Sequence, residues 1–383
     1  MKKTIVILGG YGNFGKRIAK HFIEDTQVND LDLDIYIVGR DQYKAQTFCM
    51  SNNSLENIKY IPLKLDVFES CFKEKLKAIT PDIVIHTSGP FQSQESFVAS
   101  ICIDIKCHYI DLADDRRFVC DISSLDMKAK ENDVLIVSGA SSVPGVSTSV
   151  VAKLAEQFKE IEKIDIAIAP GNKAERGFAT LKGILSYTGK AFKVFRNSKW
   201  TDAYGWMDSS SIDFKHSIGK RKLANVDVPD LEIFPKEYPT IKTVSFQAGL
   251  ELSWLHNFMV LMAKVSKLNW VKNWDRYTSL IYFIACKLEG FGSADGAMRI
   301  EMQGIGLDGK QKKLVWTLVA KDGVGPHIPT FASIILVKKM LLNQISLTGA
   351  TACVNLFSKK EFEDFAKQFE IISYLECTHL GEK

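Results

Sequence analysis

The chain has 383 residues, which at roughly 150 residues per domain predicts two domains or slightly more. Hydrophobic residues make up 46% and charged residues 25%. That balance excludes a disordered chain, a collagen-like chain and a coiled-coil rod. The net charge of +4 is too small to indicate nucleic acid as the main partner. No apolar run reaches about 18 residues, so no segment is predicted to span a membrane.

The beginning of the chain and its cysteines predict a cytoplasmic protein. Met1 to Lys3 lead directly into an apolar strand and then a glycine loop, so we expect no signal peptide. The eight cysteines include no C-x-x-C pair, which favours reduced thiols over disulfides. The seven histidines form no i, i+4 pair, so no metal site is expected.

A dinucleotide-binding fingerprint opens the chain. Residues 4–8 form a β-branched apolar strand, and residues 16–23 have the apolar spacing of an amphipathic helix. Between them, a G-x-G-x-x-G motif would allow a tight turn, close approach of a pyrophosphate and close packing of helix on strand. The candidate cofactor residues of this loop are Gly9, Gly10, Tyr11, Gly12, Asn13, Phe14 and Gly15.

The end of the second predicted strand, residues 33–38, indicates which cofactor is bound. An NAD site would place a carboxylate here for the ribose 2′-hydroxyl, but this chain has Gly39 followed by Arg40. A guanidinium suits a 2′-phosphate. Asp41, one residue further, could instead cap the next helix. We therefore expect NADP(H), with NAD(H) as the alternative.

Three further strand ends supply candidate cofactor residues. Asp66 follows the third strand and would either lie near the adenine or cap a helix over residues 68–79. Loops after the next strands would approach the nicotinamide, because open α/β sheets bind ligands at the carboxyl ends of their strands. The candidates in these loops are Ser88, Gly89, Pro90, Phe91, Ser141 and Ser142. The alternation of strands and helices predicts a doubly wound parallel sheet.

These motifs resemble the saccharopine dehydrogenase-like family of NADP-binding oxidoreductases, in its bacterial, poorly characterised branch. The resemblance implies a Rossmann domain at 1–145 and a second α+β domain with a mixed or antiparallel sheet at 146–344 for substrate and dimer contacts. It also implies that a C-terminal segment at about 345–383 returns to the first domain. The matching segments are Gly9–Gly15, Gly39-Arg40, Ser88–Phe91, His108–Asp114, Gly139–Gly145, Gly325–Pro329 and Gly349–Cys353.

One turn departs from the family pattern. Val143-Pro144-Gly145 stands where family members that act on saccharopine usually have Asp-Pro-Gly. This change favours a more apolar substrate than saccharopine, as in relatives described as trans-acting enoyl reductases.

The second half of the sequence predicts further strands and helices and contains two arginines that are candidates for binding the substrate. Arg176 and Arg196 could bind a substrate carboxylate, although a solvated surface arginine is the simpler interpretation of each. Strands are predicted at 163–169, 192–200 and 243–248, a hairpin at 297–305 with 313–321, and helices at 178–190, 329–342 and 359–369.

Residues 250–290 combine apolar helical positions, tryptophans and interspersed lysines. A basic amphipathic helix of this kind can lie at a membrane surface. A dimer interface, in a homodimer, or a lid over a substrate pocket is the interpretation we favour from sequence.

The predicted reaction moves a hydride to or from an imine of the amino-acid type or a polarised double bond. A proton carrier should lie at a strand end near residues 88–91, and the candidates are Tyr109, Asp111 and His86, with Asp114 behind them. An enoyl reductase acting on a lipid, or a non-catalytic NADP-binding sensor or scaffold, remains as an alternative.

Overall fold

A computed structural model describes residues 2–25, 31–52, 55–92 and 94–379. The chain divides into two compact units. The first comprises residues 1–146 and 329–357, and the second comprises residues 147–328 and 358–383. No helix in the described part of the chain is long and apolar enough to cross a membrane.

Strands and helices alternate through the first third of the chain, and strands predominate afterwards. The strands are β1 Lys3–Leu8, β2 Leu33–Gly39, β3 Ile58–Lys64, β4 Ile83–His86, β5 His108–Asp111, β6 Leu135–Ser138, β7 Phe158–Ala169, β8 Ala191–Arg196, β9 Lys199–Tyr204, β10 Ser210–Asp213, β11 Lys220–Asn225, β12 Thr243–Ala248, β13 Gly296–Gly306, β14 Gln311–Ala320, β15 Gly349–Ala352 and β16 Ile372–His379. The α-helices are α1 Gly15–Glu24, α2 Gln42–Ser51, α3 Phe72–Ile79, α4 Phe97–Asp104, α5 Arg116–Cys120, α6 Asp126–Glu131, α7 Ser147–Ala155, α8 Phe178–Tyr187, α9 Asp230–Glu237, α10 Ser253–Lys267, α11 Thr278–Lys287, α12 Ile328–Leu341 and α13 Lys359–Ala366.

The first unit is built on a seven-stranded parallel sheet in the order β3-β2-β1-β4-β5-β6-β15. Its central strands are buried along nearly their whole length, as expected where helices cover both faces. The strand order reverses between β1 and β4, and such a switch point opens a crevice at the carboxyl ends of the strands. The predicted Rossmann-type sheet is confirmed.

The second unit contains a mixed seven-stranded sheet in the order β10-β11-β12-β7-β13-β14-β16. Only β7 and β12 run parallel; the other neighbours are antiparallel. The expected second sheet is therefore confirmed as mixed. The predicted hairpin at 297–305 and 313–321 is the β13–β14 pair.

Several sequence-based element bounds need correction. The strand predicted at 192–200 is a separate two-stranded hairpin, β8–β9, which turns at Asn197 and Ser198 with positive φ angles of 50° and 61°. Strands β10 and β11 were not predicted, because their sequences, Ser-Ser-Ile-Asp and Lys-Arg-Lys-Leu-Ala-Asn, contain no sustained apolar run. Backbone pairing with neighbouring strands makes them strands.

The C-terminal segment returns to the first unit only in part. Residues 329–357 belong to that unit, where β15 extends the parallel sheet beside β6. From residue 358 onwards the chain belongs to the second unit, because β16 pairs along its whole length with β14. The expected return over about 345–383 is thus corrected to 329–357, and the first crossing falls at 146/147 instead of 145/146.

Two buried phenylalanines test this division by calorimetry. Phe22 of α1 lies in the first unit and Phe362 of α13 in the second, and neither is exposed. Truncation to alanine, Phe22→Ala or Phe362→Ala, should destabilise the unit concerned by about 3–5 kcal/mol, through lost burial and the cavity left behind. We expect each variant to lower the midpoint temperature of a different unfolding transition in differential scanning calorimetry. If both variants lower the midpoint of the same transition, residues 358–379 fold with the first unit.

Candidate nucleotide-binding site

Two successive amides of the glycine loop after β1 donate to a single carbonyl oxygen at the end of β2. The amides of Gly9 and Gly10 both donate to Val38 O, at 2.8 and 2.9 Å, and Gly9 has a φ of +78°. The Gly12 amide then donates to Gly9 O at 2.8 Å. A Cβ on Gly15 would lie 2.3 Å from Gly9 O, so only glycine lets α1 begin this close to the turn.

The N-terminus of α1 presents unsatisfied amides. In the described structure, the backbone N–H groups of Asn13, Phe14 and Gly15 have no hydrogen-bond acceptor. No side chain caps this helix and no acidic residue lies in its first turn. Open amides and the helix dipole together make an anion-binding position. Arg17, which sequence analysis did not single out, adds a cation there by donating to Asn13 O at 2.5 Å and to its side-chain oxygen.

The loop after β4 lies against the same glycine turn. Thr87 Oγ1 donates to Leu8 O at 2.8 Å. A Cβ on Gly9 would lie 2.8 Å from Thr87 Oγ1 and 2.9 Å from Ser88 Oγ. The structure therefore brings Ser88 to the switch point of the sheet, next to the glycine loop. Thr87 is an anchor that the sequence motif did not reveal.

Gln94 holds the rest of this loop in place. Its side-chain amide donates to Ser88 O at 2.8 Å and to Pro90 O at 3.0 Å. Phe91 is buried and packs edge-on against His86, with ring centroids 5.1 Å apart. Phe91 thus supports the loop from inside, and Ser88 to Pro90 form its accessible part. No sequence pattern pointed to Gln94, since a loop amide has no motif of its own.

The end of β2 has no carboxylate available for a ribose. Asp41 accepts the Lys44 amide at 3.1 Å and so caps α2. Tyr11 covers the position before it: a Cβ on Gly39 would lie 2.4 Å from the Tyr11 ring, and the Tyr11 hydroxyl accepts the Asp41 amide at 2.9 Å. Arg40 is exposed and has no hydrogen-bond or ion-pair partner among the described residues.

The remaining predicted cofactor residues occupy other strand ends of the same sheet. Asp66 accepts the Phe68 amide at 3.1 Å in the turn after β3. It does not cap the following helix, which begins at Phe72, four residues later than the cap interpretation requires. Ser141 is buried and Ser142 half-buried in the loop after β6. Their contact with a cofactor stays a prediction.

His86 and Tyr109 form a buried pair on adjacent strands. His86 Nδ1 lies 3.0 Å from the Tyr109 hydroxyl, and neither side chain is exposed. Burial lowers the pKa of His86 to about 3, so the imidazole is neutral at physiological pH. Burial also raises the pKa of Tyr109 well above its ordinary value, and the nearby Asp111 raises it further.

Asp111 is a completely buried carboxyl at the end of β5. It accepts hydrogen bonds from the Ala113 amide at 2.9 Å, the Gly139 amide at 2.8 Å and the Ser138 hydroxyl at 2.9 Å. Burial raises the pKa of Asp111 to about 6, and these donors oppose the rise. Asp111 therefore ties the loop after β5 to the loop after β6. In contrast, Asp114 is exposed and accepts from the Gln92 side chain at 3.0 Å.

The two substrate candidates lie on separate elements of the second unit. Arg176, before α8, donates to Asn172 O at 3.0 Å and to Asn172 Oδ1 at 2.7 Å. Arg196, at the end of β8, lies 3.5 Å from Asn225 Oδ1. They share no hydrogen-bond partner, so the structure does not bring them to one site. In the described residues no group of three or more metal-binding side chains is close enough to hold an ion.

Comparison with known proteins agrees with this geometry. Residues 5–137 match the family described as the saccharopine dehydrogenase NADP binding domain. No curated protein matches the sequence. Among solved structures, apo saccharopine dehydrogenase (L-Glu forming) from Saccharomyces cerevisiae superposes with a TM-score of 0.67 at 14% identity, covering 99% of this chain and 100% of that one. Homospermidine synthase from Legionella pneumophila, in complex with NAD, superposes with a TM-score of 0.57 at 10% identity, covering 98% of this chain and 92% of that one.

A Rossmann sheet with open amides at its first glycine turn, together with this match over residues 5–137, indicates a domain that binds a nicotinamide dinucleotide. Residues 5–137 are thus similar to the NADP-binding domain of saccharopine dehydrogenases, and that match covers about a third of the chain. The resemblance to the NADP-binding family stated from sequence is confirmed over residues 5–137, and the branch of the family stays a prediction. At 14% and 10% identity, the two solved structures establish that the fold is shared over the whole chain.

Titration of Asp111 should be visible in the stability of the protein. Its pKa is raised in the folded state, so folding is favoured where the carboxyl is protonated, and this contribution is lost as pH rises from about 4 to above 6. A shift of about 2 units corresponds to about 3 kcal/mol. Relative to Asp111→Asn, which does not titrate, the wild-type free energy of unfolding should fall by that amount over this range. Urea unfolding at pH 4, 5, 6 and 7 measures it; parallel pH profiles would refute the raised pKa.

Proposed function

We propose that this protein is an NADP(H)-dependent oxidoreductase that transfers a hydride to or from an imine or another polarised double bond. The observation that carries the cofactor preference is the end of β2. There Arg40 has no partner among the described residues, Asp41 is engaged as a helix cap, and Gly39 leaves no carboxylate for a ribose 2′-hydroxyl. A free guanidinium at this position suits a 2′-phosphate.

The residues present fit the dinucleotide. A side chain at Gly12 would bring a Cβ within 2.9 Å of Gly9 O and fill the concave turn, where the adjacent amides await an anion. We propose that the amides of Asn13 to Gly15 hold the pyrophosphate and Arg40 the 2′-phosphate. Ser88 to Pro90 would then border the nicotinamide. When bound, the cofactor supplies the hydride itself, so the protein has only to orient the acceptor and exchange one proton.

We propose positioning roles for the predicted catalytic residues. Tyr109, Asp111 and His86 are fully buried, and their hydrogen bonds join β4, β5 and the loop after β6. Through these bonds they would fix the strand-end loops that border the nicotinamide. Asp114 is exposed at the same edge of the sheet and is the better placed candidate for exchanging a proton. We also propose that Arg176 and Arg196 contact the substrate. We propose further that the protein forms a homodimer and is located in the cytoplasm.

One observation favours a second candidate function, a cofactor-bound sensor or scaffold. The three residues first expected to carry protons are buried, and burial holds His86 neutral. A protein that binds NADP(H) without turnover needs no accessible acid or base. An enoyl-reductase-like reaction on a lipid remains within the main proposal, because its substrate is also a polarised double bond.

Replacement of Arg40 should separate the two cofactors. Arg40→Ala removes charge-assisted hydrogen bonds to a phosphate, which are worth about 1.5–3 kcal/mol, so NADPH affinity should fall about 10- to 100-fold. NADH affinity should change little. Isothermal titration calorimetry with both nucleotides measures this, and Lys20→Ala, which removes an exposed charge from α1, is the matched control. Wild-type protein that binds NADH tenfold more tightly than NADPH would overturn the preference.

Turnover distinguishes an oxidoreductase from a sensor. We expect NADPH oxidation at 340 nm with one class among keto acid plus amine mixtures and enoyl thioesters. Asp114→Asn should lower kcat by about 100-fold or more if this carboxyl carries the proton. Tyr109→Phe and Asp111→Asn should lower turnover less, together with thermal stability. Full turnover in both of the latter variants would remove them from the site, and tight NADPH binding without oxidation of any substrate would favour the sensor.

A further inference from the structure

Exposed apolar side chains are concentrated on one part of the second unit. Of the twenty large hydrophobic residues that are exposed in the described chain, ten fall between residues 254 and 291. They include both tryptophans that are more than half exposed, Trp254 at 55% and Trp270 at 78%. A concentration of exposed apolar side chains in one part of a folded unit indicates a surface that contacts something else.

The helix α10 carries two apolar stripes. One stripe, Met259, Met262 and Ala263, packs with Leu185 of α8 in a buried cluster that Ile281 of α11 also contacts. A second set of apolar side chains at helical spacing is more than half exposed. It comprises Trp254, Phe258 and Leu261 of α10, and Leu268, which directly follows the helix. Since the first stripe already supplies the packing that holds the helix, the second is not needed for the fold.

The same outer surface continues on α11. Its exposed residues Leu280, Phe283 and Ile284 are 60%, 61% and 48% accessible. Because α10 and α11 both pack around the cluster that contains Met259, their outward residues flank one region of the second unit. We call the exposed residues of α10, α11 and the segment between them the apolar face.

The charges around the apolar face are predominantly positive. The exposed ionised residues between 254 and 291 are Lys264, Lys267, Lys272, Arg276, Lys287 and Glu289. A contact between two copies of this face would bring lysines against lysines, and like charges placed together in an interface are unfavourable. An anionic surface suits both the charges and the apolar side chains, and tryptophan and phenylalanine are typical of residues that enter a lipid headgroup region.

An open cavity with both polar and apolar lining residues lies along one edge of the apolar face. It has a volume of about 500 Å³, and its lining includes Ser209, Ser210, Lys222, Asn257, Leu261 and Lys264. Leu261 belongs to the cavity and to the apolar face at once. In the described structure Lys264 has no carboxylate partner, and Lys222 reaches only the neutral Asn257 Oδ1, at 3.0 Å.

Ser209 is fixed in its orientation at this cavity. Its hydroxyl donates to Leu223 O at 3.1 Å and lies 2.6 Å from Nε2 of the fully buried His256. The hydroxyls of Ser209 and Ser210 already donate within the protein, to Leu223 O and Gln247 Oε1, so the donors available at the cavity are the two lysines. Two ammonium groups without carboxylate partners match a phosphate group, whose oxygens accept several hydrogen bonds at once.

We propose that the apolar face docks on a bilayer that contains anionic phospholipid, and that the cavity beside α10 takes the phosphate of one lipid headgroup. The apolar side chains enter the headgroup region, while Lys222 and Lys264 contact the phosphate. This contact is peripheral, since no described helix can cross a membrane. It is independent of whether the first unit binds NADP(H).

Vesicle co-sedimentation with the full chain tests the proposal. We expect the protein to pellet with vesicles of phosphatidylcholine and phosphatidylglycerol, and to pellet at least fivefold less with phosphatidylcholine alone. Phe258→Glu should abolish pelleting, while Met50→Glu, which places the same charge on an exposed residue of α2, should leave it unchanged. Lys264→Glu should reduce pelleting more than Lys360→Glu, its control on α13.

Three results would overturn the proposal. The first is absence of pelleting with anionic vesicles. The second is an equal loss in the control variants. The third is a dimer, measured by sedimentation velocity without lipid, that Phe258→Glu dissociates, which would assign the face to a second copy. The melting temperature of each variant is compared with that of wild type to show that the variant is folded. Pelleting is measured without nucleotide, so failure here is distinguishable from failure of the cofactor proposal.

Discussion

The first unit depends on how one carbonyl oxygen organises the turn after β1. Val38 O accepts the amides of Gly9 and Gly10, so the backbone of the turn is drawn towards β2. Gly9 O then accepts the Gly12 amide and lies where a side chain on Gly15 would be. Among the described residues, the amides of Asn13 to Gly15 are left without hydrogen-bond acceptors at the start of α1. An open helix start of this kind is a position where an anion is stabilised by free amides and the helix dipole, as the proposed pyrophosphate contact requires.

A second constraint acts at the same edge of the sheet. The strands β4, β5 and β6 end in polar residues that are buried, where unpaired polar groups would be strongly destabilising. Asp111 meets this demand at Oδ1, which accepts two backbone amides and a hydroxyl, and His86 meets it at Nδ1, which pairs with Tyr109. The other polar atom of each side chain, Asp111 Oδ2 and His86 Nε2, is buried without a hydrogen-bond partner among the described residues. The hydrogen bonds at Oδ1 and Nδ1 hold the strand-end loops in fixed positions. The polar residues are therefore part of the support of the site, whether or not any of them also handles a proton.

In the second unit, the helices α10 and α11 each have apolar residues in the core and further apolar residues on the surface. The inner stripe of α10 secures it to α8, and α11 contributes to the same cluster. The outer stripe is equally apolar, and positive residues surround it. Sequence periodicity alone showed only that these helices have more apolar positions than one buried face requires. Burial separates the residues that build the unit from those left free for a partner.

The sequence determined the parallel sheet, the glycine loop, the absence of a carboxylate at the end of β2 and the β13–β14 hairpin. All of these are local: each follows from a run of adjacent residues whose spacing or turn chemistry permits one structure. Only the tertiary structure decided that Asp41 is engaged, that Tyr11 covers Gly39, and that Thr87 and Gln94 anchor the loop after β4. It also decided that the chain returns to the second sheet at residue 358. These outcomes depend on burial and on pairing between distant segments, such as β14 with β16, and neither is encoded in the neighbouring residues.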